Sequence, residues 1–465
     1  MKKFLFSTLI VVLSLGFQTV IAQAKYVFYF IGDGMGVNYV NLTEAYMSAV
    51  NGERGSGKLL MTQFPVASFA TSFSDNNDVT DSAASGTALA SGEKTNNGYI
   101  GLRPDKTLLE SIAEKAKKAG KKVGIASTVP INHATPAAFY GHQKSRDMYY
   151  EISLDLIKSN FDFFAGAGFY NRDVLHDKTK APDIYGLITE AGYYISKGYD
   201  DYKINGVSKS KVVLVPFNWQ EPEKIPNAID RTPADLTLKQ ITQAAIETLM
   251  QDNKKGFFVM LEGGRIDWNG HSNDAAAAIR ETIDMDEAIG VAYEFYKKHP
   301  KETLIVITAD HETGGMTVGR GRLNLNILQH QKKSKEGLTN AFREVYEAKK
   351  GKVTWDDAKQ VLTDVMGFWK DVPISWDNEK ILRDAYEETL AKNKDVSEKT
   401  LYATTPLIVV KAVAVINDLA RIGWATTSHS AGYIPVFAIG VGSDLFKQKS
   451  DNAEIAKKIL QAAKY

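Results

Sequence analysis

Residues 26–36 read Tyr26-Val27-Phe28-Tyr29-Phe30-Ile31-Gly32-Asp33-Gly34-Met35-Gly36. A strand with one wet face alternates apolar and polar residues. The unbroken apolar run ahead of Gly32 therefore fits a strand covered on both faces, as in a parallel sheet between two helix layers. Similar runs recur at 123–126, 161–164, 212–215, 257–261, 304–307 and 436–439. Between them lie helical patterns at 107–119, at 233–250 with Leu238, Ile241, Ala245 and Leu249 on one face, and at 273–295. Strand and helix in alternation predict an α/β fold, a three-layer α/β/α sandwich around a mostly parallel sheet. From about 321 to 405 the texture becomes Lys-rich and helical, with a capping-box-like start at Thr354-Trp355-Asp356-Asp357. A strand-like segment with candidate site residues follows, so this stretch is expected to be a helical insertion within one catalytic domain spanning 25–465.

The 465 residues carry 56 Lys plus Arg against 55 Asp plus Glu, which leaves no basic field for a nucleic-acid backbone and no polybasic run for an anionic membrane. There is no cysteine, which removes disulfides, thiol nucleophiles, zinc fingers and iron–sulfur clusters. A transition metal would have to be held by His, Asp and Glu, so the 8 histidines are the positions to inspect. Residues 1–24 combine Lys2 and Lys3, an apolar run and the small-x-small sequence Ala22-Gln23-Ala24, as in a secretory signal peptide. The run is shorter than the roughly 20 residues of a spanning helix. An exported protein, periplasmic or secreted, without a stable membrane anchor is expected.

Two motif matches fail on chemistry. Gly52-Glu53-Arg54-Gly55-Ser56-Gly57-Lys58-Leu59 ends in Leu where a P-loop needs a Mg-binding Ser or Thr, and it follows no strand. Gly32-Asp33-Gly34-Met35-Gly36 lacks the third glycine of a dinucleotide loop and sets an acid where a pyrophosphate would lie. Asp33 is better explained as a metal ligand at a strand end, where ligands of open α/β sheets gather, with a turn-forming Asp as the alternative. Glu262 closes the run at 257–261. Asp267 and His271, four residues apart, share one face of a helical turn, the geometry of a chelating pair. Asp310-His311 follows the run at 304–307, and His429 precedes the last run. Acids and imidazoles repeatedly placed at strand tips point to a metal site. Ser82, in Thr80-Asp81-Ser82-Ala83-Ala84-Ser85-Gly86, sits where a helix of small residues begins. It is a candidate nucleophile, with a plain N-cap as the competing reading.

Together these segments resemble the alkaline phosphatase family: Asp33 in Ile-Gly-Asp-Gly-Met-Gly, Asp81-Ser82-Ala83 with Thr87 and Gly92 beyond, His133-Ala134-Thr135-Pro136 with Arg146 after it, then Glu262, Asp267, His271, Asp310-His311 and His429. The resemblance runs from about Tyr26 to Gly442. It implies two zinc ions, one on Asp267, His271 and His429, the other on Asp33, Asp310 and His311 and also on Ser82, whose hydroxyl it would activate. It also implies a magnesium bound by Thr135 and Glu262, with Asp33 bridging. Arg146 would grip two phosphate oxygens with its planar fork. Ser82 would attack phosphorus to form a phosphoserine that water then hydrolyses, with net retention at phosphorus. An alkoxide nucleophile benefits from high pH, so an alkaline optimum is expected. The implied substrates are small phosphate monoesters in breadth, and a homodimer is among the expectations.

Two positions depart from part of the family. His133 stands where others carry an acid and Trp268 where others carry a lysine, both near the implied magnesium and phosphate as outer neighbours of the ligands, which bears on the identity of the third metal. Among related activities, sulfatases need a C/S-x-P-x-R motif that Ser82-Ala83-Ala84-Ser85-Gly86 lacks. Diesterases mostly use threonine and lack the set formed by Thr135, Glu262 and Arg146. A phosphate-binding protein on an inactivated fold is disfavoured because every expected ligand is intact. His142, His176, His299 and His330 have no place in the constellation and are assigned to surface or structural roles.

Overall fold

The computed structural model describes residues 23–55, 57–218, 225–319, 321–392 and 394–465. Most of the expected leader, residues 1–22, lies outside the described residues. Ten strands form one sheet: β1 (Tyr26–Gly32), β2 (Val66–Thr71), β3 (Lys122–Ser127), β4 (Phe163–Ala165), β5 (Tyr194–Lys197), β6 (Val212–Val215), β7 (Phe257–Gly263), β8 (Thr303–Ala309), β9 (Ile434–Gly440) and β10 (Ser450–Asp451). Their order across the sheet is β10-β2-β9-β8-β1-β7-β3-β4-β6-β5, and every pairing is parallel except the two that β9 makes with β8 and β2. The expected mostly parallel sheet flanked by helices is what forms.

The centre of the sheet is where the apolar runs are longest. All seven residues of β1, of β7 and of β8 are buried, as two-sided cover requires. Phe28 meets Phe257 and Phe295 at ring-centroid separations of 5.1 and 5.5 Å, joining the sheet to the helix Ala275–Lys298. Truncating such a ring to alanine costs about 3–5 kcal/mol. Register then sets the site, because Gly32 lies opposite both Gly263 and Ala309, so β1, β7 and β8 end at one level.

Several boundaries differ from the sequence reading, each for a local reason. The helix expected from 107 begins at Ile112, because Ser111 accepts from the Glu114 amide while the Glu114 carboxylate accepts from the Ser111 amide. The same box between Thr237 and Gln240 delays the helix expected from 233 to Leu238. The strand expected at 161–164 forms two residues later, at Phe163–Ala165. β2 and β5 carry no continuous apolar run, since both are partly exposed, and the sequence pattern passed over them. Among the described residues of 321–405 three α-helices form, Lys335–Ala348, Trp355–Met366 and Trp376–Glu388, the second capped by Thr354. Among the described residues no helix is long and apolar enough to cross a membrane.

Candidate active site

The level ends of β1, β7 and β8 place Asp33, Glu262 and Asp310 side by side at the carboxyl edge of the sheet, all fully buried. Because β9 runs against its neighbours, the segment entering it arrives at this same edge. There His429–Ser430 pairs with Glu312–Thr313 and brings His429 to His311, with ring centroids 3.6 Å apart. The helix Arg265–His271, directly after β7, turns Asp267 and His271 inward. Gly34 permits the crowding: its φ is +70°, and a Cβ there would lie 2.7 Å from Thr313 Oγ1 and 2.9 Å from Asp267 Oδ1.

The hydrogen bonds around the three histidines determine which ring nitrogens carry protons. His271 Nδ1 lies 2.6 Å from the Thr427 carbonyl and His429 Nδ1 2.9 Å from the Thr80 carbonyl, and a carbonyl only accepts, so both Nδ1 atoms are donors. Thr313 Oγ1 gives its proton to Asp267 Oδ1 at 2.5 Å and so accepts from His311 Nδ1 at 3.2 Å. In the neutral rings all three Nε2 atoms are then lone pairs. His271 Nε2 and His429 Nε2 face each other at 3.1 Å, with Asp267 Oδ1 at 3.4 and 3.6 Å. His311 Nε2 faces Asp33 Oδ1 at 3.4 Å and Asp310 Oδ2 at 3.3 Å. Burial holds the His311 and His429 pKa values below the ordinary range, so neither ring supplies a cation.

Acceptors converging on acceptors repel unless a cation lies among them. The carboxylates agree: burial first, then the charges of Asp310, Asp267 and Glu262, pushes the Asp33 pKa far up, and burial raises Glu262 and Asp310 as well. Asp33 Oδ1, Glu262 Oε1 and Asp267 Oδ2 have no hydrogen-bond partner. Among the described residues three groups have ligand atoms close enough to hold a metal ion: Asp267 with His311 and His429, Asp33 with Asp310 and His311, and Asp33 with His133 and Glu262. The residues present fit divalent cations. His133, expected as an outer neighbour of the ligands, is brought into the third group, and its buried Nδ1 has no partner. Thr135 Oγ1 lies 3.5 Å from Asp33 Oδ2 and 3.4 Å from Asp310 Oδ2, beside the same carboxylates.

Ser82 is the first residue of the helix Ser82–Ser91, but it is not the cap. Asp81 accepts from the Ala84 amide at 2.9 Å, leaving the Ser82 hydroxyl to point at His311 Nε2, 3.1 Å away. The other carboxylate oxygen of Asp81 takes Arg146 Nη1 at 3.2 Å. Arg146 Nη2 lies 3.3 Å from both His133 Nε2 and Tyr402 Oη, so the guanidinium is steered from two sides. Trp268 stacks on Tyr402, centroids 4.9 Å apart at 25°. The singled-out positions are therefore joined in one network of contacts, with Trp268 linked to it through Tyr402. Thr313, Tyr402, Ser127 (which bonds Glu262) and the hold of Asp81 on Arg146 were absent from the sequence reading. Of these, Asp81 had a visible signal in its adjacency to Ser82, and the others had none.

A buried serine beside clustered carboxylates and imidazoles at the carboxyl edge of a parallel sheet defines a class, the metal-dependent α/β enzymes, and known proteins narrow it. The alkaline phosphatase family profile matches residues 24–166 and 194–465. Alkaline phosphatase 3 of Bacillus subtilis is 33% identical over 458 residues, 95% of this chain and 90% of that protein. A cold-active alkaline phosphatase from the psychrophile Shewanella sp. superposes with a TM-score of 0.78 at 28% identity, over 94% of this chain and 99% of that one. An alkaline phosphatase from the Antarctic bacterium TAB5, solved as a His-to-Glu mutant with Mg in its M3 site, gives 0.64 at 28% identity over 96% and 99%. The chain belongs to the alkaline phosphatase family and is a phosphomonoesterase, of a family that depends on metal ions.

Proposed function

We propose that this chain hydrolyses a broad set of small phosphate monoesters through a phosphoserine on Ser82, with two zinc ions and one magnesium and an alkaline optimum. The observation that carries this reading is the Ser82 hydroxyl 3.1 Å from His311 Nε2, at the rim of a cluster in which Asp33 Oδ1, Glu262 Oε1 and Asp267 Oδ2 are buried without a hydrogen-bond partner. Asp267, His271 and His429 would hold one zinc and Asp33, Asp310 and His311 the other. Thr135 and Glu262 would hold magnesium with Asp33 bridging, His133 would join Asp33 and Glu262 at that site, and Trp268 would be an outer neighbour. Bound there, the ions would supply Lewis acidity and positive charge for the attacking and leaving oxygens.

The chain's own groups do the positioning. Arg146, fixed by Asp81, presents two N–H groups to non-bridging phosphate oxygens; burial works against its charge, but Tyr402, Asp81, Tyr149 and Asp33 around it outweigh that and raise its pKa, so it stays protonated throughout the working range. Ser82 Oγ, held off its backbone by Asp81, attacks phosphorus opposite the ester oxygen. The P–O bond to the alcohol breaks, the phosphoseryl bond forms, and the proton given up by Ser82 is balanced by one taken up by the departing alcohol. Water then attacks phosphorus from the vacated side, inorganic phosphate leaves, and Ser82 regains a proton from the attacking water, so two inversions give net retention.

Residues 1–24 act as an export signal in this reading, and 25–465 form one catalytic domain with 321–405 as its insertion, delivered to the periplasm or the medium. A second copy would cover the exposed Phe69–Tyr433 pair, whose rings lie 4.9 Å apart, and the sedimentation mass of the mature chain tests that homodimer. The decisive experiment is the rate ratio of an aryl phosphate monoester to its diester for the zinc- and magnesium-loaded chain, with Ser82→Ala alongside. A strong monoester preference lost in Ser82→Ala is expected. A diester preference, or full activity without the Ser82 hydroxyl, would overturn the proposal.

A further inference from the structure

The helix Arg265–His271 divides its sides between two places. Asp267 and His271, four apart, face the ligand cluster, whereas Arg265 and Trp268, three apart, face a separate cavity of about 330 Å³. The segment 321–405 builds the opposite wall with Lys335, Glu336 and Arg343 from the helix Lys335–Ala348, and with Tyr402.

Three cations, Arg265, Lys335 and Arg343, line this cavity against one carboxylate, Glu336. Arg265 and Lys335 are only 3% and 5% exposed. Glu336 Oε2 lies 3.2 Å from Arg265 Nη1, while the Lys335 ammonium donates to the neutral Ser272 carbonyl at 3.1 Å. Positive charge in a concave, half-dry setting favours an anion more than the same charge on open surface.

The wall shared with the ligand cluster is one aromatic layer thick. The stacked Trp268–Tyr402 pair lines the cavity on one side. On the other, Tyr402 Oη meets Arg146 Nη2 at 3.3 Å, and its ring lies 5.3 Å from that of His271 and 5.7 Å from that of His133. A phosphate gripped by Arg146 would therefore carry its alcohol portion past the edge of this pair.

We propose that the cavity is a leaving-group subsite, and that the enzyme prefers monoesters whose alcohol carries a second anionic group, a carboxylate or phosphate on a small body lying against Trp268 and Tyr402. The inference rests on the monoesterase reading and adds a preference within its breadth of substrates. The probe is a pair of esters of similar phenol acidity, phenyl phosphate and 4-carboxyphenyl phosphate, compared by kcat/KM in the full mature chain loaded with zinc and magnesium, and in Arg343→Ala and Lys335→Met. The expected result is a preference of about tenfold for the carboxylate ester, some 1.4 kcal/mol. It should be carried mainly by KM, because the contact is equal in ground and transition states. In both variants it should fall to within about twofold. Arg343 lies at the exposed rim, so Arg343→Ala keeps the test decisive if Lys335→Met folds poorly. A wild-type ratio at or below one would overturn the subsite, as would a preference undiminished in both variants. If the loaded wild type hydrolyses neither ester, the monoesterase reading falls and takes this inference with it, an outcome distinct from an active enzyme without preference.

Discussion

Thr313→Val separates the orienting hydroxyl from everything else in the cluster, because valine keeps the branched shape and removes one oxygen. The Thr313 side chain is fully buried, donates to Asp267 Oδ1 at 2.5 Å and accepts from His311 Nδ1 at 3.2 Å. A bond to a carboxylate contributes about 1.5–3 kcal/mol and one between neutral groups about 0.5–1.5. Both exist before an ion binds, so part of their loss appears as stability and part as affinity. On affinity the effect is specific: without an acceptor on Nδ1, His311 is free to carry its proton on Nε2, which puts an N–H where Asp33, Asp310 and Ser82 now meet a lone pair. Losing an outer partner of this kind weakens metal binding roughly 10- to 100-fold. The assay is zinc titration against a calibrated chelator on wild type and variant, followed by kinetics at excess zinc, where most of the lost activity should return. Zinc affinity within about twofold of wild type would refute the tautomer argument, since the hydroxyl would then be a bystander.

Asp81→Asn keeps an oxygen for the Ala84 amide and removes the charge facing Arg146, so inhibition by inorganic phosphate should weaken about 5- to 30-fold, the equivalent of 1–2 kcal/mol, while helix content by circular dichroism holds. An unchanged inhibition constant would show that Asp81 does not steer the guanidinium. His133→Asp adds a carboxylate to Asp33 and Glu262, a harder donor set, and should raise magnesium affinity in equilibrium dialysis; equal affinity would place His133 outside the third site. Burial lowers the Lys121 pKa from 10.5 to about 8. Between those values the unfolded chain binds the extra proton, so this group makes stability rise with pH from about 8 to about 10.5. Urea midpoints at the two ends of that window should therefore climb less in Lys121→Met than in wild type, and parallel changes in both proteins would contradict it.

How much of this was legible depended on whether the determinant is local. Asp33, Glu262 and Asp310 could be read because each punctuates an unbroken apolar run, and strands that end at one level must align the residues at their tips. Asp267 and His271 could be read from helical spacing. Ser82 could not be separated from an N-cap by spacing; the structure separates them by giving the cap to Asp81, and only the whole constellation singled out the serine beforehand. Tyr402 stayed invisible because its partner Arg146 is 256 positions away; Thr313 stands two residues from His311, but its role in linking that ring to Asp267, 46 positions away, leaves no mark on any periodicity. The partly exposed β2 and β5 were lost for the opposite reason, having too little burial to leave an apolar run.

The same contrast explains why the cluster is built as it is. Buried carboxylates with raised pKa values and imidazole lone pairs aimed at one another destabilise the chain locally, and nothing in the apolar pattern repays that cost. The surrounding frame has to hold these groups in place against their own repulsion. Parallel strands buried on both faces do so, because a one-residue slip of β1 against β7 or β8 would move every core side chain to the wrong face. The apolar runs that reveal the fold are therefore also what keeps the ligands in register. The residues that tune the ligands, Thr313 and Asp81 among them, act through single hydrogen bonds and are free to sit wherever the fold delivers them.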